Sequence, residues 1–186
     1  MRIISGKFKG KKLFYPSDEQ TRPLKDLAKE SIFNLIIHSK NINFNISRST
    51  ILDLFSGTGS FGIECLSRGA KYVSFVEKYP PVLKVLEKNL KLLPNNNFEI
   101  INKDLFSKDT YNSLNKNYDL VFMDPPFLEN KIEEIFLYLK NYKLLKKNGI
   151  GIMHRNKKKK ESFSSSIKII DERNYGISKI LFFSIK

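Results

Sequence analysis

At 186 residues and 41% hydrophobic content, the chain suits one domain with a sizeable core and room for a small appendage. Its formal charge of +14, from 33 basic against 19 acidic residues, favours a polyanionic partner, because neutralising phosphates releases counterions whatever the sequence. No apolar run approaches the ~18 residues of a membrane span, and no long apolar stretch follows Arg2, so no secretory leader is expected and the cytoplasm is the expected compartment.

The charge has a second possible source. Of the basic residues 27 are Lys and 6 Arg, beside 17 Asn, a bias that an AT-rich genome also produces, and lysine is the poorer bidentate fork. The lone Cys65 has no internal disulfide partner and reads as a reduced packing residue.

In chain order, residues 1–16 read as a separate basic β-hairpin arm, ahead of a main domain over 17–186. Lysines interleaved with Phe and Gly suit RNA, with charge for phosphates and rings for stacking; an ordinary edge hairpin with solvated lysines has the same pattern. Thr21-Arg22-Pro23 opens a helix running to about His38, capped near Thr21 and with Pro23 in its first turn. Leu27, Ile32, Phe33, Leu35, Ile36 and Ile37 supply its apolar face, and His38 is a surface residue at its end.

From Thr50 strands and helices alternate. Strands are expected at 51–55, 72–77, 98–104, 118–123 and 149–154, with helices at 61–67, 81–92 and 131–140 between them. Two further strands, 167–170 and 177–185, follow a four-lysine run at 157–160 that reads as a solvated loop. The fold expected is α/β: a doubly wound, mostly parallel, Rossmann-like sheet of seven strands with the small N-terminal hairpin attached.

Two stretches carry chemistry. Gly57-Thr58-Gly59-Ser60-Phe61-Gly62 fits G-x-G-x-x-G between a strand and a helix, where glycines let backbone approach a nucleotide. Glu77 ends the second strand, where an acid takes ribose hydroxyls, and Asp104 ends the third, within reach of an adenine amine. Asp53, just before the glycines, would repel a pyrophosphate and suits a cofactor with positive charge there, such as the amino group and sulfonium of S-adenosylmethionine.

The second stretch is Asp124-Pro125-Pro126-Phe127, at the carboxyl edge after the fourth strand. Its prolines fix the backbone and leave carbonyls free, so the Asp124 carboxylate and the Pro125 carbonyl can accept both protons of an exocyclic amine. Phe127 offers a face to the base. Such a site needs neither metal nor nucleophile; proximity and orientation carry the reaction.

Both motifs in this order resemble class I S-adenosylmethionine-dependent methyltransferases acting on exocyclic amines. The opening Arg2-Ile3-Ile4-Ser5-Gly6-Lys7-Phe8-Lys9-Gly10-Lys11-Lys12-Leu13, then Thr21-Arg22-Pro23, Glu30-Ser31-Ile32-Phe33-Asn34, Leu66-Ser67-Arg68-Gly69-Ala70, Val76-Glu77-Lys78 and Arg173-Asn174-Tyr175-Gly176 narrow it further. Together they are similar to the RsmD-type bacterial ribosomal RNA guanine-N2 methyltransferases over nearly the whole chain.

That resemblance implies methylation of the 2-amino group of one guanine in small-subunit (16S) ribosomal RNA, with S-adenosylmethionine as cofactor. The protein is expected to act as a monomer whose partner is the RNA, within a small-subunit particle. It implies catalytic roles for Asp124, Pro125, Pro126 and Phe127, and cofactor contacts by Asp53, Phe55, Gly57, Gly59, Glu77, Lys78, Asp104 and Leu105. It also implies RNA docking by the hairpin, through Lys7, Lys9, Lys11 and Lys12, together with Arg22. Two departures stand out: Leu27 and Lys29 occupy places where the family often has arginines, and Phe127 stands where a Tyr is common.

An adenine-N6 methyltransferase acting on DNA or RNA would hold its amine in the same way. A dehydrogenase using NAD is disfavoured by Asp53 and the Asp-Pro-Pro-Phe corner, and a non-catalytic RNA-binding module by the intact cofactor pattern.

Overall fold

In the computed structural model, residues 1–16, 26–94, 96–159 and 161–186 are described. The expected Thr21 cap, the first-turn Pro23 and the docking residue Arg22 lie outside them.

Helix α1 (Asp26–His38) precedes an alternation of β1 (Thr50–Leu54), α2 (Ser60–Ser67), β2 (Tyr72–Glu77), α3 (Pro80–Leu90) and β3 (Phe98–Asn102). Then come α4 (Lys108–Asn112), β4 (Tyr118–Met123), α5 (Ile132–Asn141), β5 (Leu145–Asn156), β6 (Ile167–Tyr175) and β7 (Ser178–Ile185). They form one sheet of seven strands in the order β3-β2-β1-β4-β5-β7-β6. All neighbours from β3 to β5 are parallel, while β7 runs antiparallel to both β5 and β6. The order reverses between β1 and β4, the place where an α/β sheet opens a crevice at its carboxyl edge.

Strand alternation sorts the core into two clusters. Ile51, Phe75, Phe122, Ile152 and Phe182 point toward α1, α2 and α3. Leu52, Val76, Met123, Met153 and Phe183 point toward α4 and α5. A column of phenyl rings runs through the first cluster, Phe33 to Phe61 at 5.1 Å and Phe61 to Phe122 at 3.8 Å between centroids. The second cluster is the tyrosine-rich one, with Tyr111, Tyr118, Tyr138 and Tyr142.

Helix α1 departs from the expected apolar face. Its buried residues are Lys29, Ile32, Phe33 and Ile36, spaced as one helical stripe, which leaves Leu27 78% and Ile37 55% exposed on the opposite sides. Strands β5 and β6 are longer than expected, because their polar ends continue the ladder: β6 is an edge strand, where an outward polar residue costs nothing. Cys65 is fully buried, and burial pushes its thiol pKa well up, in keeping with a packing role. Among the described residues no helix is long and apolar enough to cross a membrane.

Candidate active site

The first wall is the turn between β1 and α2. Phe55 leaves the strand with φ at 54°, a left-handed conformation that costs a bulky residue about 1–3 kcal/mol and that surrounding structure must enforce. Gly57 follows at φ 55°, and a Cβ placed on it would meet nothing nearer than the Phe55 carbonyl at 3.9 Å. The space over Gly57 is open. Gly59 and Gly62 have a different reason to be glycine: a Cβ on them would strike Leu86 Cδ1 at 2.4 Å and the Phe75 ring at 2.3 Å. The first glycine makes room for a ligand, and the others let α2 lie close to its neighbours.

Asp53 is 1% exposed and its Oδ2 accepts from Gly62 N at 3.0 Å, tying strand to helix. Its Oδ1 is buried with no partner among the described residues. Burial first, then the Asp124 and Glu77 charges, push its pKa well above the ordinary carboxylate value, against the pull of the Gly62 N–H.

At the end of β2, Glu77 Oε2 accepts from Gly57 N at 2.9 Å, while Oε1 accepts from Lys78 N and Tyr79 N at the start of α3. This carboxylate therefore braces the glycine turn as well as facing the crevice. Lys78 Nζ and Asp104 Oδ2 meet at 3.0 Å in a half-exposed bridge across the ends of β2 and β3. The Phe106 N–H and Lys78 hold the Asp104 carboxyl below its usual range despite some desolvation. Leu105 is 4% exposed and its side chain packs in the α4–α5 cluster, leaving its main chain as the part near the crevice.

The second wall is the loop after β4. Residues 53 and 122 are partners in the parallel β1–β4 ladder, and Asp124 N donates to Leu54 O at 3.5 Å, so the two motifs lie side by side. Pro125 is buried, Pro126 exposed, and Asp124 and Phe127 half-buried. Beneath them run two residues with no expected role, His154 at the end of the expected strand and Arg155 just beyond it, both within β5. His154 Nδ1 lies 2.8 Å from Asp124 Oδ1, and its ring centroid is 6.1 Å from that of Phe127. Arg155, 2% exposed, donates from Nη1 to Pro126 O at 2.9 Å and from Nη2 to Glu129 O at 2.8 Å. Its Nε donates to Glu161 Oε1 at 2.7 Å, and Lys179 Nζ stands 3.3 Å from Glu161 Oε2. One signal was available: both residues are polar at the carboxyl end of a buried parallel strand, where ligand sites gather.

Among the described residues, four of the five buried polar side-chain atoms without a partner surround this crevice: Asp53 Oδ1, Ser56 Oγ, Ser60 Oγ and His154 Nε2. Buried polar atoms are normally satisfied, so such a cluster marks a place built for a ligand. Two surface hollows lie elsewhere, one by His38, Arg173 and Tyr175 and one by Ile37, Phe44 and Arg68. Neither has an unsatisfied buried atom in its lining. The chain as a whole is strongly basic, yet its crevice is framed by Asp53, Glu77, Asp104 and Asp124. That lining attracts a cation and repels a pyrophosphate.

The N-terminal segment packs along α2 rather than standing free. Arg2 and Lys12 form an antiparallel bridge, and Ile3 and Leu13 belong to the α1–α3 core cluster. The fully buried Glu64 carboxylate accepts from Ile4 N at 2.7 Å and Ser5 N at 2.9 Å, with Arg68 Nε at 2.8 Å and Lys29 Nζ at 3.9 Å. Lys29 also donates to Arg2 O at 2.9 Å, and its burial lowers its pKa. Lys29 is thus a brace for the segment and is out of reach of any phosphate.

Lys7, Lys9, Lys11 and Lys12 are exposed. Lys7 N bonds Ser67 O at the far end of α2, so the structure does not bring the tip lysines to the crevice. The exposed Phe14 is nearer. Buried Asn89 accepts from Phe14 N at 2.7 Å and donates to Thr58 O, in the glycine turn, at 2.9 Å.

The sequence matches a family described as Conserved hypothetical protein 95 over residues 1–184. It is 35% identical over 181 residues to the ribosomal RNA small subunit methyltransferase D of Haemophilus influenzae, covering 95% of this chain and 90% of that one. It is 31% identical to the putative rRNA methyltransferase YlbH of Bacillus subtilis, covering 84% and 83%. A crystal structure of a putative methylase from Haemophilus influenzae superposes with a TM-score of 0.75 at 32% identity, over 98% of this chain and 96% of that one. A putative methyltransferase from Escherichia coli shares the fold, with a TM-score of 0.81 at 24% identity over 100% and 98%.

Proposed function

The chain belongs to the Conserved hypothetical protein 95 family, and on that premise we propose that it methylates the exocyclic 2-amino group of a guanine in small-subunit ribosomal RNA. The observation that carries this reading is the side-by-side placement of the glycine turn and the Asp124–Phe127 loop, with unsatisfied polar atoms between them.

S-adenosylmethionine is the cofactor, and the crevice fits it. Gly57 leaves open space, Asp53 Oδ1 is an unused buried acceptor, and the acidic lining favours a cationic group. Asp53, Phe55, Gly57 and Gly59 hold it from the β1 side, and Glu77, Lys78, Asp104 and the Leu105 main chain from the β2–β3 side. Bound there, it supplies an electrophilic methyl group. The chain's own work is to orient the amine. Asp124 and the Pro125 carbonyl accept its two protons, which turns the nitrogen lone pair outward, while Phe127 stacks on the base and Pro126 stiffens the corner. A carboxylate at that position also takes up the proton that the amine releases on alkylation.

The substrate reaches the site along α2, in this reading. Lys7, Lys9, Lys11 and Lys12 hold phosphates, and eight residues of α2 at about 1.5 Å each separate the tip from the crevice by roughly 12 Å; Arg22, outside the described residues, is a further candidate for phosphate contact. That distance suits a folded RNA, and an assembled particle better than a short strand. The chain acts as a monomer.

Incubating small-subunit particles and bare 16S RNA with the protein and labelled cofactor, then analysing nucleosides by mass spectrometry, tests the proposal. N2-methylguanosine is the expected product. N6-methyladenine would move the assignment to an adenine enzyme, and no label in either RNA would end the ribosomal reading.

A further inference from the structure

Resting on that reading, we infer that His154 is a positioning residue for the target amine, holding the Asp124 carboxylate turned so that its second oxygen receives the substrate. Met123 pairs with Met153 in the parallel β4–β5 ladder, so the next residues, Asp124 and His154, leave adjacent strands side by side. Both follow the alternation of Phe122 and Ile152 onto the α1–α2 face, where Asp53 also lies. The contact, His154 Nδ1 to Asp124 Oδ1, is 2.8 Å and almost sealed, the histidine side chain being 8% and the aspartate 17% exposed.

The tautomer follows from the other ring nitrogen. His154 Nε2 is buried and has no partner among the described residues, so a proton there would be an unsatisfied donor in the interior. The proton therefore sits on Nδ1, which donates to Oδ1. A neutral carboxylic acid at Asp124 could offer that donor only one unprotonated oxygen and would lose an acceptor for the amine. Among the described residues no donor is bonded to Asp124 Oδ2, so one oxygen is held and the other is available.

The neighbouring residue completes the arrangement from the opposite face. Arg155 holds the carbonyls of Pro126 and Glu129, fixing the loop's backbone while His154 fixes the side chain. One stretch of β5 thereby sets both the position of the Pro125–Pro126 corner and the rotamer of Asp124.

The test compares His154→Leu with His154→Asn, whose side-chain amide nitrogen occupies nearly the place of Nδ1. His154→Leu is expected to lose about 10- to 100-fold in kcat, as a misplaced reacting group does, with KM for the RNA and affinity for S-adenosylhomocysteine unchanged. His154→Asn should restore most of that loss. A wild-type kcat in His154→Leu, or an equal loss in both variants, would overturn the inference. A second readout needs no turnover: nitrogen NMR of the wild-type imidazole should show the proton on Nδ1, and a proton on Nε2 would equally overturn it. If the wild-type chain left ribosomal RNA unmethylated, the functional reading would fall while the NMR spectrum still decided the role of His154 in holding Asp124.

Discussion

Two buried ionic clusters in this molecule do opposite things with charge. Beside α2, the Glu64 carboxylate gathers two backbone N–H groups of the N-terminal segment, with Lys29 and Arg68 as counter-ions. Under the Asp124–Phe127 loop, the Arg155 guanidinium gathers two backbone carbonyls, with Glu161 as its counter-ion and Lys179 as a second cation on that carboxylate. An anion fixes one loop by its donors, and a cation fixes the other by its acceptors. The choice follows from the loops. Residues 125 and 126 are prolines with no N–H to offer, so only a donor can hold that corner. The Ile4–Ser5 stretch presents two adjacent N–H groups, which a carboxylate spans.

Arg155 is where the two anchors should differ most. Arg155→Met leaves Glu161 buried with Lys179 as its remaining cation and frees the loop, and should cost about 3–5 kcal/mol in denaturant unfolding. The kcat of whatever folds should fall as well; unaltered stability would mean that the buried pair is not an anchor. Next comes Glu64→Gln, which replaces an ionic acceptor with an amide and should cost about 1.5–3 kcal/mol. Here the loss should show as faster hydrogen exchange at Ile4 and Ser5 and a raised KM for RNA, with kcat preserved. Equal effects on kcat from both variants would erase the distinction between a substrate-docking anchor and a catalytic one.

A milder probe is pH. The folded-state pKa of Asp53 is raised chiefly by burial, so its neutral form contributes stability that is complete below the unfolded carboxylate value and is lost as pH rises through the folded value. Without cofactor, the thermal midpoint should therefore decline across that window, and it should be flat there in Asp53→Asn. Affinity for S-adenosylmethionine should rise across the same window, because a cation favours the ionised acid; calorimetry in buffers of different ionisation enthalpy would register the proton released. The smallest effect is expected from Lys7→Ser with Lys9→Ser, which should lower the slope of log affinity against log salt by roughly 0.7–0.9 per lost phosphate contact. An unchanged slope would place the RNA elsewhere.

How much of this was legible in the sequence depends on how far apart the cooperating residues are. The glycine turn, the acids at the ends of β1 and β2, and the proline corner are each set within a dozen residues, and their spacing alone located them. The mostly parallel, seven-stranded sheet was legible too, since apolar runs separated by amphipathic helices admit few topologies. The pairing of His154 with Asp124 spans 30 positions and exists only because β5 is in one register against β4. Lys29 shows the opposite failure. It has the composition of a surface residue, and nothing local says that the carbonyl of Arg2 and the Glu64 carboxylate wait for it. Leu27 and Ile37 were misplaced for a related reason: a helix with apolar residues on three sides does not announce which stripe will be covered.

The unequal distribution of aromatic rings between the two faces of the sheet has a practical side. The chain has no Trp and eight Tyr, and the tyrosines that pack in the core all lie in the α4–α5 cluster. Intrinsic tyrosine emission and near-ultraviolet dichroism will therefore report the melting of that face, while the phenylalanine column joining α1, α2 and β4 stays optically quiet. A tryptophan placed at exposed Phe14, whose backbone Asn89 ties to the glycine turn, would give the silent face a reporter of its own.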